Sequence, residues 1–265
     1  MEKERIIDAH THIFPEKIAA KAVSSIGSFY DLTMHSGDGT AEALLESGKK
    51  IGVTQYLICS TATKPEQVQA INDFIWAESQ AHPEFIPFAT LHPQMEGLEE
   101  EMERILSRGY RGIKLHPDFQ EFNIDEDRAM EIYRLAEGKL AILFHTGDAR
   151  YDYSAPSRLE KVAERFPKLT CIAAHFGGYS RWDEATDAYE APNIYMDTSS
   201  ALFALPKEKA WEFFRKFGED RFFFGTDFPM WTHEDEMVRF NALELPPDMR
   251  EKILWKNFAK AILKE

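Results

Sequence analysis

Two cysteines in 265 residues are too few for a disulfide-stapled scaffold. Both Cys59 and Cys171 sit inside apolar runs (QYLICST and LTCIAAH), where a cysteine serves as a small core hydrophobe. No apolar run approaches the roughly 18 residues that a membrane span needs. The opening stretch MEKERIIDAHTHIF lacks the apolar core of a secretory signal. Linker-like Pro/Gly/Ser stretches, low-complexity tracts and sequence repeats are missing too, so one domain over residues 1–265 is expected. Basic residues are short: Lys+Arg number 31 against Asp+Glu 45, a net charge of −14. With no local basic patch, such a chain repels nucleic-acid phosphates and anionic membranes. The expectation is a cytoplasmic protein whose partner is a small molecule, with neither nucleic acid nor membrane involved. At 44% hydrophobic residues the chain can bury a core without staples.

What is present is an alternation. Short runs rich in Ile, Val, Leu and Phe end on a polar residue and predict strands over 5–12, 55–61, 86–92, 112–116, 141–145, 170–175, 193–198 and 221–227. Amphipathic stretches predict helices over 40–50, 65–82, 98–108, 125–137, 156–166, 182–189 and 206–217, and a last one over 247–263. Pro65, Pro156, Pro206 and Pro247 stand where a first helical turn tolerates proline. Near-continuous apolar strands separated by helices mean a parallel sheet covered on both faces. Eight such units in about 250 residues predict an α/β chain folded as a (β/α)8 TIM barrel with long βα loops and a C-terminal helix. A doubly wound sheet would carry a Gly-rich phosphate turn after its first strand; HTHIFP stands there instead.

Barrel sites lie at the C-terminal strand ends. The polar residues predicted there are His10 and His12, His92, Lys114 and His116, His145, His175 and Asp227. In His10-Thr11-His12 the two imidazoles are two residues apart on a strand and share a face, within reach of one ion at roughly 2.0–2.1 Å each. Histidines hydrogen-bonded in a core would explain the pair alone equally well. His145 (ILFHTG), His175 (IAAHFGG) and Asp227 (FFGTDFP) end other strands, and a closed barrel would bring all of them to one axial site. Neutral imidazoles with one carboxylate suit Zn²⁺ or Mn²⁺ better than Ca²⁺ or Mg²⁺.

The ordered set DAHTHIFP, GIKLHP, FHTG, AHFGG and FGTDFP resembles the amidohydrolase superfamily of metal-dependent barrel hydrolases, in its amidohydrolase-related branch, which includes aromatic-acid decarboxylases. The resemblance covers nearly the whole chain. It implies His10, His12, His145 and Asp227 as metal ligands, with His175 a further ligand or a partner of the nucleophilic water. It also implies that Asp227 takes a proton from that water. One zinc ion is expected, manganese being the alternative, and two ions if Lys114 is carbamylated. The reading preferred for Lys114 is a cation that binds a substrate carboxylate, with His116 a pocket wall or substrate donor.

The other candidates have plainer readings. A structural hydrogen bond is expected for His92, and solvated positions for His35, His82 and His233. Cys59 has no acid–base partner to make it a nucleophile. Phe14, Phe29, Tyr30, Tyr151, Tyr153 and Trp231 in the loops, with Arg150, Arg181 and Trp182 nearby, fit a small, partly apolar, anionic substrate; packing of the loops onto the barrel explains them equally well. Trp211, Phe213, Phe214 and Trp255 fit either a homodimer face or packing on the barrel. The expected activity is hydrolysis of an amide, ester or lactone by metal-activated water, catalysed through Asp227 and His175. The alternatives are decarboxylation of a small aromatic or unsaturated acid at the same site, and a non-catalytic barrel that binds a ligand.

Overall fold

A computed structural model describes residues 4–34 and 36–265. Eight parallel strands follow one another around a single sheet: β1 (Ile7–His12), β2 (Gln55–Cys59), β3 (Phe85–Thr90), β4 (Gly112–Leu115), β5 (Ala141–Phe144), β6 (Thr170–Ala173), β7 (Ile194–Asp197) and β8 (Phe222–Phe223). The ring closes where Ala9 N donates to Phe224 O at 2.8 Å and His12 N to Phe228 O at 2.7 Å. The helices are α1 (Glu16–Tyr30), α2 (Ala41–Ile51), α3 (Val68–Ala81), α4 (Leu98–Ser107), α5 (Pro117–Gln120), α6 (Asp127–Ala136), α7 (Pro156–Arg165), α8 (Trp182–Ala188), α9 (Lys207–Phe217), α10 (His233–Asn241) and α11 (Pro247–Glu251). This is the expected α/β TIM barrel.

Two apolar cores follow from strand alternation. Side chains such as Ile58, Ile113, Ile142, Cys171 and Met196 point outward and pack against the helices. Ile7, Ala9, Leu57, Leu143 and Ile172 point inward and fill the barrel together with Phe258 and Ile262 from the chain's last helical turns. Those turns continue α11 in two π-wound stretches, Lys252–Lys256 and Ala259–Leu263, where one regular helix was expected. Phe213 and Phe214 are buried, and Trp211 and Trp255 pack against the cores, so packing accounts for these aromatics.

Three helices differ from expectation. The stretch 13–39, expected as a loop, contains α1; α5 adds one short turn after β4; and α10 follows β8. Apart from β1, the strand ladders also stop short of their predicted ends. His116 and His145 lie one residue past the ends of their strands, His175 two and Asp227 four. Leaving the ladder frees the backbone there: His175 and Asp227 adopt left-handed φ of 62° and 60°. Such conformations cost about 1–3 kcal/mol each and persist where surrounding contacts over-determine them.

Candidate metal centre

The aim of the first-strand histidines depends on a defect in the strand. Ile7 and Ala9 face the barrel interior while Asp8 faces the helices, so strict alternation would send His10 and His12 outward with Asp8. The β1–β2 register shifts between Asp8 and Thr11. That irregularity resets the phase, as β-bulges do beside active sites, and turns both imidazoles inward. At β6, Ala174 and His175 likewise both face inward, through the left-handed φ values of His175 and Phe176.

All seven predicted site residues line one cavity of about 850 Å³ at the C-terminal strand ends: His10, His12, Lys114, His116, His145, His175 and Asp227. Within it, His10 Nε2 and His12 Nε2 are 3.2 Å apart. Asp227 Oδ1 lies 3.2 Å from His12 Nε2 and 3.6 Å from His10 Nε2. Two donors about 2.1 Å from one ion and 90–110° apart are themselves roughly 3.0–3.4 Å apart. Two of the three spacings fall in that range and the third, 3.6 Å, corresponds to an angle of about 120°, so the trio can form one face of a coordination shell and a divalent ion fits it.

The outer supports match that reading. His10 Nδ1 lies 2.9 Å from Asp197 Oδ2 and 2.9 Å from Ser199 Oγ, which keeps Nε2 for the site. Asp197 Oδ1 accepts from the amides of His175 and Ser199, at 3.0 Å each. Ser200 Oγ donates to Asp227 Oδ2 at 2.6 Å, and Trp231 Nε1 donates to Ser200 Oγ at 3.0 Å. Carboxylate–histidine pairs of this kind fix ring orientation and tautomer in metal sites.

Behind β1, Asp8 accepts from the amides of His10 and Thr226 (3.1 Å each) and from Thr226 Oγ1 (2.6 Å), tying β1 to the segment that carries Asp227. His233 Nε2 is 3.0 Å from Asp8 Oδ2 and its Nδ1 is 2.9 Å from Ser47 Oγ. His233 is thus fully buried, correcting the solvated position expected for it, because α10 folds it against β1. His82 stays partly exposed at the end of α3, and His35 lies outside the described residues. His92 is buried outside the cavity, with Gln94 N donating to its Nδ1 at 3.2 Å, a structural bond as expected.

His145 joins the centre through His175 and not through the trio: His145 Nδ1 and His175 Nε2 are 3.0 Å apart. His175 itself stacks on His10 with ring centroids 5.2 Å apart and shares a potential donor group with His10 and Asp197. Lys114 Nζ sits 3.1 Å from His10 Nε2, buried, and desolvation lowers its pKa. His116 stacks flat on His145 at 4.0 Å, receives the Phe119 amide on Nδ1 and meets Tyr30 OH at 2.9 Å through Nε2. Cys59 Sγ approaches His12 Nδ1 at 3.5 Å.

Electrostatics divide the site. Burial, reinforced by neighbouring cations, pushes His10, His116 and His145 well below the ordinary imidazole value. Such rings are neutral and have a lone pair to offer an ion or a donor. For His12 burial acts downward too, but Cys59 and Asp227 outweigh it and hold the ring up at about 9. Burial would raise Asp227, yet His10, His12 and His175 hold its carboxyl far below the usual carboxylate range.

Sequence reasoning missed Asp197, Asp118 and Asp148. Asp197 had a signal, since it ends the β7 run NIYMD as the histidines end theirs. Asp118, His145 and Asp148 form a further donor group, but Arg150 holds Asp148 with Nε to Oδ1 at 3.0 Å and Nη2 to Oδ2 at 2.6 Å. Neither Asp118 oxygen has a well-formed hydrogen bond, and burial, only partly offset by Ser154 and Arg150, pushes its carboxyl up to about 7. The expected loop residues divide as well: Phe14, Phe29 and Tyr30 line the cavity, while Trp182 Nε1 caps His175 O at 2.9 Å. Gly147 can only be glycine: its φ is +83°, and a Cβ would stand 2.2 Å from Gly178 O.

The family model described as amidohydrolase matches residues 7–262. No curated protein matches the chain in sequence. Among solved structures, an uncharacterized TIM-barrel protein from Bordetella bronchiseptica is similar at 21% identity and TM-score 0.78, covering 97% of this chain and 98% of that one. A dihydroxybenzoic acid decarboxylase from Polaromonas, solved with bound manganese and 2-nitroresorcinol, is similar at 15% identity and TM-score 0.75, covering 97% and 96%. A probable 2-pyrone-4,6-dicarboxylic acid hydrolase from Acinetobacter baumannii has 14% identity and TM-score 0.71, covering 97% and 98%. These likenesses establish the barrel.

Proposed function

The chain belongs to the amidohydrolase family, and on that premise we propose that it is a metal-dependent hydrolase acting on a carbonyl-type bond (amide, ester or lactone) of a small carboxylated substrate. The observation that carries this reading is the donor trio His10, His12 and Asp227, spaced for one ion and open to an 850 Å³ cavity. His145 and His175 complete the set. When bound, a divalent ion (zinc, or the manganese seen in the Polaromonas relative) supplies Lewis acidity and lowers the pKa of water.

The chain's own residues do the rest. Ser200 fixes one oxygen of Asp227, so the other is aimed at the site and accepts the proton that attacking water gives up. The water oxygen bonds to the carbonyl carbon, the bond to the leaving nitrogen or oxygen breaks, and the proton passes to that leaving atom. His175, neutral because burial lowers it, has Nδ1 on Ser199 O at 2.9 Å and Nε2 3.0 Å from His145 Nδ1, and it positions the water by exchanging that Nε2 contact for it. Lys114 pairs with the substrate carboxylate, whose charge favours its ammonium form.

Lys114 also supports a second reading. A buried ammonium beside the donor trio could hold a carboxylate that leaves as carbon dioxide, making the protein a decarboxylase like its Polaromonas relative. The deciding experiment incubates manganese- and zinc-loaded protein with a panel of aryl carboxylates, lactones and carboxylated amides. Bond hydrolysis without gas supports the first reading, and stoichiometric carbon dioxide supports the second. Activity that persists in His10→Ala after chelation overturns both.

A further inference from the structure

Helix α1 carries two apolar stripes. Ala19, Val23 and Gly27, four residues apart, are its buried face. Ile18, Ala22 and Ile26 form a second stripe one residue round the helix. None of these three belongs to either apolar core or to the partly buried residues packed on them. They line the site cavity instead, and Ile18 is 51% exposed. Across the cavity stand Ala70, Ile71 and Phe74 of α3. The charged residues at this end, Lys21 and Glu66, lie at exposed positions.

The cavity is thus one continuous space with a polar, histidine-lined end and an apolar arm between two helices. Its 850 Å³ falls in the upper part of the roughly 300–1,000 Å³ typical of drug-sized ligands, far more than a single small ring needs. The stripe from Ile18 to Ile26 spans about 12 Å at 1.5 Å per residue.

We propose that the substrate is elongated, with a carbonyl or carboxyl head at the metal centre and an uncharged apolar tail of about 12 Å lying between α1 and α3. This rests on the metal-centre reading above. The groove is continuous with the donor trio, so its occupant is part of the same molecule that the trio engages. An apolar stripe outside both apolar cores of the described residues gains stability when a ligand tail covers it. Ile18, Ala22, Ile26, Ala70, Ile71 and Phe74 therefore determine specificity and take no part in bond breaking.

The test uses straight-chain alkyl hydroxamates, from acetohydroxamate to octanohydroxamate, titrated calorimetrically into manganese-loaded full-length protein. A hydroxamate binds divalent metal through two oxygens, so the shortest probe reports the metal centre and the increment per carbon reports the groove. Affinity is expected to rise about twofold to threefold per methylene, somewhat under the full burial value because the groove is open along one side. Ala70→Trp, which fills the groove at an exposed position, should remove at least about tenfold of the octanohydroxamate affinity. Ile18→Asp, also at an exposed position, should flatten the slope, and the shortest probe serves as internal reference for both. A flat series in the unmodified protein, or an unchanged slope in both variants, overturns the inference while acetohydroxamate binding keeps the metal centre intact. If no hydroxamate binds at any length, the metal-centre reading fails and the inference with it.

Discussion

The two sides of the cavity differ in how completely they are held. On the side of β1, β7 and β8, Asp8, Asp197 and Asp227 each have both oxygens engaged, by amides, hydroxyls or imidazoles. On the side of β4 and β5, His116 and His145 are stacked flat but Asp118 is buried with no well-formed hydrogen bond. The first side leaves one free direction, where three donors point, and so is pre-organised for an ion. The second keeps a carboxyl that is costly to ionise, 3.7 Å behind the Nε2 of the cavity-lining His145. Rigid geometry is placed where coordination requires it, and an adjustable charge where a ligand varies.

Four experiments break or sharpen this contrast. The largest effect belongs to the donors themselves: His10→Ala and Asp227→Asn should lose bound metal and turnover by more than the roughly 10–100-fold of an outer-shell change. Metal content by mass spectrometry of purified protein, with rates on the panel above, reads this. Next comes Asp197→Asn, which removes the carboxylate on His10 Nδ1; metal affinity by competitive chelation should fall about 10–100-fold. If it is unchanged, the first side is not pre-organised in the way its hydrogen bonds indicate.

The third addresses the other side. Asp118 titrates at about 7 folded, against roughly 3.9 in an unfolded chain. The folded state therefore binds the extra proton between those values, and metal-free protein loses stability as pH rises from 4 through 7. Asp118→Asn escapes that loss and should be more stable than the parent at pH 8 by up to about 4 kcal/mol, with the gain gone near pH 4. Urea unfolding at both pH values checks this, and parallel pH profiles for the two proteins would contradict it.

The smallest concerns His12, raised to about 9 without an ion. Below that pH an incoming ion must displace a proton, so metal affinity should fall about tenfold per unit as pH drops from 8 to 6. Calorimetry in buffers of different ionisation enthalpy should find close to one proton released. A constant affinity over that range would mean His12 is already neutral.

Much of this could be read from residue order, and what could not has physical causes. The eight strands were legible because each buries both faces and reads as an apolar run. The donors were legible because each follows such a run. Helix α1 was not, since EKIAAKAVSSIGSFY places one apolar stripe on loops and another on open cavity, so neither stands out as a core face. The burial of His233 depends on a contact between α10 and β1 that spans most of the chain. The inward aim of His10 rests on a register shift, and alternation alone predicts the opposite face. Asp118 is placed by a four-residue turn, α5, too short to announce itself by periodicity.

Closure of the barrel has one more consequence, for the order of events during synthesis. The imidazole pair belongs to the first strand, whereas the carboxylate that completes the trio follows the last, whose backbone zips directly onto it. A nascent chain carries both rings long before Asp227 leaves the ribosome. The three-donor face therefore comes together only at the step that seals the ring.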